Sequence, residues 1–154
     1  MATEIERKFL VKEEMLPKAD KIIRMSQAYL QTEPERTIRV RITDESAFLT
    51  IKGKQVGFSR AEFEYPIPKA DAEELIKLAC YPPIEKDRHL IVYKGKTWEV
   101  DFFKGANKGL ILAEVELADE QEQVELPNWL AVEVTGEERY HNSYLARYPF
   151  SAQK

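Results

Sequence analysis

Thr3-Glu4-Ile5-Glu6-Arg7-Lys8-Phe9-Leu10-Val11 puts Glu4, Glu6 and Lys8 at alternate positions, with Ile5, Phe9 and Val11 between and beyond them. In an extended chain, side chains two apart share a face. One face of this strand is therefore ionic and the other mainly apolar. The same inversion recurs along the chain. Arg39 and Arg41 oppose Ile38, Val40 and Ile42; Thr50 and Lys52 oppose Ala47, Leu49 and Ile51. Arg60, Glu62 and Glu64 oppose Ala61, Phe63 and Tyr65, and Glu114 and Glu116 oppose Val115 and Leu117. A set of such strands describes a sheet with an apolar outside and an ionic inside, and a closed barrel with a wet lumen satisfies both faces.

Working outward, the alternation predicts strands at 25–31, 36–43, 46–52, 59–67, 84–94, 97–103 and 110–117. Gln27, Tyr29 and Gln31 share a face of the first of these. Lys94-Gly95-Lys96 reads as a hairpin turn and the stretch 105–109 as another. A short helix is expected at 16–24. A second helix is expected from Asp71, with Glu74 three residues on as in a capping box, stopping before Pro82-Pro83. A short extended piece at 131–134 precedes a helix at 137–147, with Thr135 and Glu138 as candidate caps. So much antiparallel sheet leaves costly edges unless it closes. The expected fold is α+β: a closed eight-stranded antiparallel β-barrel with helices packed outside, as one domain over 1–154.

Composition narrows the function. The 154 residues are 32% charged, above the usual quarter, so the surplus charge needs a place such as a lumen. A net charge of -4, from 27 acidic and 23 basic residues, argues against a nucleic-acid binder. The lone cysteine, Cys80, allows no internal disulfide and is expected to be a small buried residue. No apolar run approaches the ~20 residues of a membrane span, and the first residues carry no basic-then-apolar leader. A cytoplasmic protein with no membrane partner is expected.

The inward rows carry the chemistry. The acids are Glu4, Glu6, Glu62, Glu64, Glu114 and Glu116, with Glu99 and Asp101 on the hairpin; the bases are Lys8, Arg39, Arg41, Lys52, Arg60, Lys86 and Arg88. Unpaired, each would cost several kcal/mol or more to desolvate. Paired carboxylates on neighbouring strands call for hard divalent cations, Mg²⁺ or Mn²⁺ where water and phosphate complete the shell. Guanidinium and ammonium groups call for an anion with phosphate-like oxygens. A metal-bridged polyphosphate answers both.

Glu4-Ile5-Glu6-Arg7-Lys8 resembles the Glu-x-Glu-x-Lys signature of the CYTH superfamily, the triphosphate tunnel metalloenzymes. Arg39-Val40-Arg41, Thr50-Ile51-Lys52-Gly53, Glu62-Phe63-Glu64, Lys86-Asp87-Arg88, Trp98-Glu99-Val100-Asp101 and Glu114-Val115-Glu116 are similar to its later blocks, in order. So is Glu133-Val134-Thr135-Gly136-Glu137-Glu138-Arg139-Tyr140 to its last block. The resemblance implies a triphosphate tunnel, divalent-metal dependence and a triphosphate-bearing small-molecule substrate. It implies that Lys8, Arg39, Arg41, Lys52, Arg60, Lys86 and Arg88 bind phosphate. Glu4, Glu6, Glu62, Glu64, Asp101, Glu114 and Glu116 would then hold metal, directly or through water. Tyr29 with Lys86 resembles the catalytic pair of the short bacterial triphosphatases. The stretch from Glu4 to Val11 resembles the opening of that branch. A class IV adenylyl cyclase, a thiamine triphosphatase and a polyphosphate-binding module without turnover are the alternatives.

Any one Glu-x-Glu is most often a solvated face; the ordered set makes the exposed-sheet reading a poor one. Arg60 and Glu99 fit either the row or the rim. Phe63, Trp98 and Phe102 are expected as core beneath helices. His89 and His141 are lone histidines, with His89 out of phase with Lys86 and Arg88. The outer surface of such a barrel is compatible with a homodimer.

Overall fold

The computed structural model describes residues 2–153. Its nine strands are β1 (Thr3–Val11), β2 (Lys21–Gln31), β3 (Arg36–Thr43), β4 (Ala47–Gly53), β5 (Ser59–Pro66), β6 (Ile84–Tyr93), β7 (Lys96–Phe103), β8 (Ile111–Glu116) and β9 (Leu130–Glu133). Two α-helices, α1 (Lys69–Ile76) and α2 (Asn142–Arg147), follow β5 and β9. All observed pairings are antiparallel and run β5-β4-β3-β2-β6-β7-β8-β1. The first part of β1 then pairs back onto β5, Thr3 opposite Ala61 and Ile5 opposite Ser59, which closes an eight-stranded barrel. β9 pairs with the far end of β1, at Phe9 and Val11. Closure leaves the eight barrel strands no open edge along their shared register.

The outer face is covered in two regions. Phe9, Ile91, Trp98, Val100, Ala113, Val115 and Leu117 form one core with Trp129, just before β9, and Leu130, its first residue. Trp98 is fully buried, its ring 5.8 Å from Phe9 and 5.7 Å from Trp129. α1 covers Val40, Ala47 and Leu49 with Ala72, Leu75 and Ile76. Phe102 packs partly buried against the first core, but Phe63 stays 45% exposed, because α1 ends its cover short of it.

The inner face changes character along its length. Tyr29, Ile84, Phe103 and Leu112 continue the rows that hold Gln27, Lys86, Asp101 and Glu114, and Leu145 and Ala146 of α2 pack on them together with Tyr140. The barrel is ionic towards one end and apolar under α2, so this helix packs onto inward-facing residues while α1 packs on outward-facing ones.

Several local expectations differ from the structure. Residues 16–24 are not a helix: Glu13–Met15 form one 3₁₀ turn, and β2 already begins at Lys21. Lys21-Ile22-Ile23-Arg24 pairs with Leu90, His89, Arg88 and Asp87 of β6, so cross-strand bonds override the weak helical period. α1 starts two residues before Asp71, after an extended Pro68, with no side-chain cap. The helix expected over 137–147 is a 3₁₀ turn at Glu138–Tyr140, an extended His141, and then α2. Thr135 caps nothing; its Oγ1 accepts from Lys8 N at 2.9 Å and donates to Glu133 Oε2 at 2.7 Å. Cys80 is exposed rather than buried, its Sγ donating to Leu30 O at 3.3 Å. Lys94 and Gly95 both have positive φ, 50° and 80°, the mirror-image turn that matches strand twist in a two-residue hairpin.

Candidate active site

Strand pairing determines which charges meet. Residues opposite one another in an antiparallel pair point to the same face. Glu6 faces Glu116, Lys8 faces Glu114, and Glu99 faces Glu114. Lys52 faces Glu62, Thr50 faces Glu64, and Arg88 faces Asp101. The rows converge on a cavity of about 190 Å³. Of the expected site residues, Glu4, Glu6, Lys8, Tyr29, Arg39, Arg41, Lys52, Arg60, Glu62, Glu64, Lys86, Arg88, Glu114 and Glu116 all line it, and so does Glu99.

Asp101 is the exception. It is fully buried behind the wall, with Oδ1 2.8 Å from Arg88 Nε and Oδ2 2.8 Å from Lys86 Nζ. Those two cations overcome the effect of burial and hold its carboxyl well below the usual range. Both oxygens are committed to Arg88 and Lys86, which places Asp101 as their counter-ion and leaves it off the cavity wall that the other expected carboxylates line.

The cavity has basic and acidic flanks. Arg39, Arg41, Lys86 and Arg88 cluster on β3 and β6. Burial, with Arg39 and Arg88 nearby, brings the Arg41 guanidinium down to about 9. Burial also brings Lys86 down to about 7 against the pull of Asp101, with Arg88 and Arg41 adding to the effect. Burial is the common cause, and the neighbouring cations add to it.

The acids face the converse problem. Burial and the adjacent Glu114 carboxylate push Glu6 well up, while Glu114, although buried, is held well down by Lys8 and by the proton Glu6 carries. Burial and the neighbouring Glu4 push Glu62 up to about 7. Burial would raise Glu4 too, but the Lys52 ammonium 2.6 Å away holds it at about 2. Glu6 with Glu114 and Glu62 with Glu4 thus stand as like-charged pairs in which one carboxyl is pushed up and the other held down. Glu4 Oε1 is buried without a hydrogen-bond partner. All-oxygen donors, paired and short of positive charge, fit a hard divalent cation. Among the described residues no three acidic or histidine groups form a ready-made cage; small hard cations commonly use one or two carboxylates and complete the shell with water and phosphate.

This pairing has a measurable consequence. Glu6 and Glu62 hold protons in the fold that the unfolded chain releases near 4.5. Both folded values are raised, so their contribution is fully present below that pH and is lost as pH rises through each folded value, about 7 for Glu62. A divalent cation held by these pairs would replace those protons. Adding Mg²⁺ should therefore raise the melting temperature by several degrees at pH 8 and by much less at pH 5, as scanning calorimetry would read. An equal effect at both pH values would remove these pairs from cation binding.

Some lining residues carry no strand signal. Thr135, Gly136 and His141, from the irregular chain before α2, and Asn142 and Ser143, which open that helix, border the cavity. Burial, with Lys8 and Arg60 nearby, brings the His141 imidazole down to about 3, so it is neutral near pH 7. His89, out of phase as expected, stacks on Phe102 at 4.3 Å. Gln27 and Thr50 lie on inward rows and are legible as such, but not their hydrogen bonds to Arg41 and Glu64. Arg60 reaches the cavity while its Nε donates to Gly53 O at 3.1 Å.

The chain is 41% identical over 151 residues to an inorganic triphosphatase of Acetivibrio thermocellus, covering 97% of each. It is 35% identical to an inorganic triphosphatase of Nitrosomonas europaea, over 94% of this chain and 97% of that one. The crystal structure of the inorganic triphosphatase NE1496 superposes with a TM-score of 0.65 at 32% identity, over 93% of this chain and 97% of that chain. The CYTH domain model matches residues 2–148. With the ionic rows of eight paired strands meeting in one bore along that matched length, the chain belongs to the CYTH domain family.

Proposed function

We propose that this chain hydrolyses inorganic triphosphate to pyrophosphate and phosphate with Mg²⁺ or Mn²⁺ as cofactor. The observation that carries the reading is one cavity walled by clustered cations on one flank and by proton-sharing carboxylate pairs on the other. The near-full-length likeness to two inorganic triphosphatases supports the same substrate.

In this reading Lys8, Arg39, Arg41, Lys52, Arg60 and Arg88 grip the phosphate chain, the guanidinium forks matching its oxygens. Glu4, Glu6, Glu62, Glu64, Glu114 and Glu116 hold the cation, directly or through water. When bound, the cation supplies charge neutralisation of the phosphates and a more acidic water. The bulk of the catalysis is positioning and charge stabilisation, for which a closed barrel is a rigid frame. Lys86 near pKa 7 gains and loses a proton around neutral pH, and with Tyr29 on the same wall it protonates the departing phosphate oxygen. Asp101 keeps Lys86 in place from behind, 2.8 Å from its Nζ.

Purified protein with Mg²⁺ or Mn²⁺ should release one orthophosphate per tripolyphosphate, and little from ATP or thiamine triphosphate. Cyclic AMP from ATP would favour a class IV adenylyl cyclase, preferential thiamine triphosphate cleavage a thiamine triphosphatase, and binding without product a non-catalytic module. A homodimer through the outer face belongs to the same proposal, and sedimentation of the purified protein tests it.

A further inference from the structure

Asn142 is uncharged and opens α2, so nothing in the strand pattern marks it. Its Oδ1 accepts two hydrogen bonds, from Lys86 Nζ at 2.9 Å and from Gln27 Nε2 at 2.9 Å. Gln27 is fully buried, and its Oε1 accepts from Arg41 Nε at 2.8 Å. One amide oxygen therefore joins the Lys86 ammonium to a guanidinium of the phosphate-facing flank through a single intervening side chain. An ammonium has three N–H donors. Asp101, at 2.8 Å, and Asn142 take two of them and so set the direction of the third.

The amide is itself held in place. Leu145 and Ala146, one turn further along α2, are buried against the inward-facing Tyr29, Ile84, Phe103 and Leu112. The position of Asn142 is thus an outcome of apolar packing on one end of the bore, transmitted to the ionic end by one side chain.

We infer that Asn142 is a positioning residue for triphosphate hydrolysis: with its Oδ1 also accepting from the buried Gln27, it accepts from Lys86 and aims that group at the phosphate chain. The inference rests on the reading of Lys86 given under the proposed function. Asn142 touches no reacting atom and acts through Lys86.

The test is steady-state hydrolysis of tripolyphosphate with Mg²⁺ by the parent, Asn142→Ala, Asn142→Asp, Lys86→Ala and the Lys86→Ala/Asn142→Ala double variant, with a melting curve for each. Asn142→Ala should lower kcat about 10- to 100-fold, with KM altered less than about threefold, as expected when a reacting group is misaimed while the grip on substrate stays intact. Alanine is a strong helix former, so this variant should still fold. Asn142→Asp keeps the acceptor oxygen and should restore kcat to within about threefold, its cost falling on KM because it adds negative charge near the phosphates. In the Lys86→Ala background, Asn142→Ala should change kcat by less than about twofold, since the group it aims is gone. Parental kcat in Asn142→Ala, or an equal loss with and without Lys86, would overturn this inference alone and make Asn142 a packing residue. Parental turnover in Lys86→Ala would overturn the reading of Lys86 and this inference with it.

Discussion

Replacing Glu6 by Gln is expected to leave the metal-free barrel at least as stable as the parent while reducing triphosphate turnover at least ~100-fold. The two effects have one cause. Burial and Glu114 already keep a proton on Glu6 in the fold. Glutamine reproduces that uncharged, donating state and removes the repulsion that returns as pH rises. In the proposed site a bound cation would then lack one of its carboxylates, and the charge stabilisation it would supply to the phosphates would be lost. Melting curves at pH 8 without metal, with phosphate release measured alongside, would check both halves. Full turnover in this variant would exclude Glu6 from the cation site. A large fall in melting temperature would mean that Glu6 is a structural carboxylate.

Asp101→Ala is expected to act in the opposite manner, through the fold first. It removes the counter-ion of two buried cations, Arg88 at 2.8 Å and Lys86 at 2.8 Å. Breaking a buried pair from one side costs about 3–5 kcal/mol, or a melting temperature lower by roughly 6–20 °C for a chain of this size. Lys86, already near 7, can shed its proton and so limit its share of that cost; Arg88 cannot. Activity should fall as well, because an uncharged Lys86 has no proton to deliver. The loss should persist at saturating Mg²⁺, which distinguishes a counter-ion from a metal ligand. Activity rescued by excess Mg²⁺ with an unchanged melting temperature would return Asp101 to the metal-binding set.

These two acids show how far a linear reading extends. Glu6 and Asp101 both stand at inward positions, and alternation treats them alike. Their neighbours across the sheet separate them: Glu6 lies opposite another acid, Glu116, whereas Asp101 lies two positions from Glu99 and directly opposite Arg88. Partner identity depends on register between strands distant in sequence, which no local period encodes. The misread helix at 16–24 has a related origin. Lys21 to Arg24 gain their structure from β6, more than sixty positions away, and that pairing outweighs a weak local preference.

Local alternation of charged and apolar residues, read from Glu4 to Glu116, determined that this protein has an ionic inner wall and eight strands to build it, because a strand's period of two is a property of the chain itself. Tertiary structure alone decided which acids share protons, which one serves the cations, and that α2 brings the uncharged Asn142 onto Lys86. Those outcomes depend on closure of the barrel and on burial, both of which arise only when segments far apart in the chain come together.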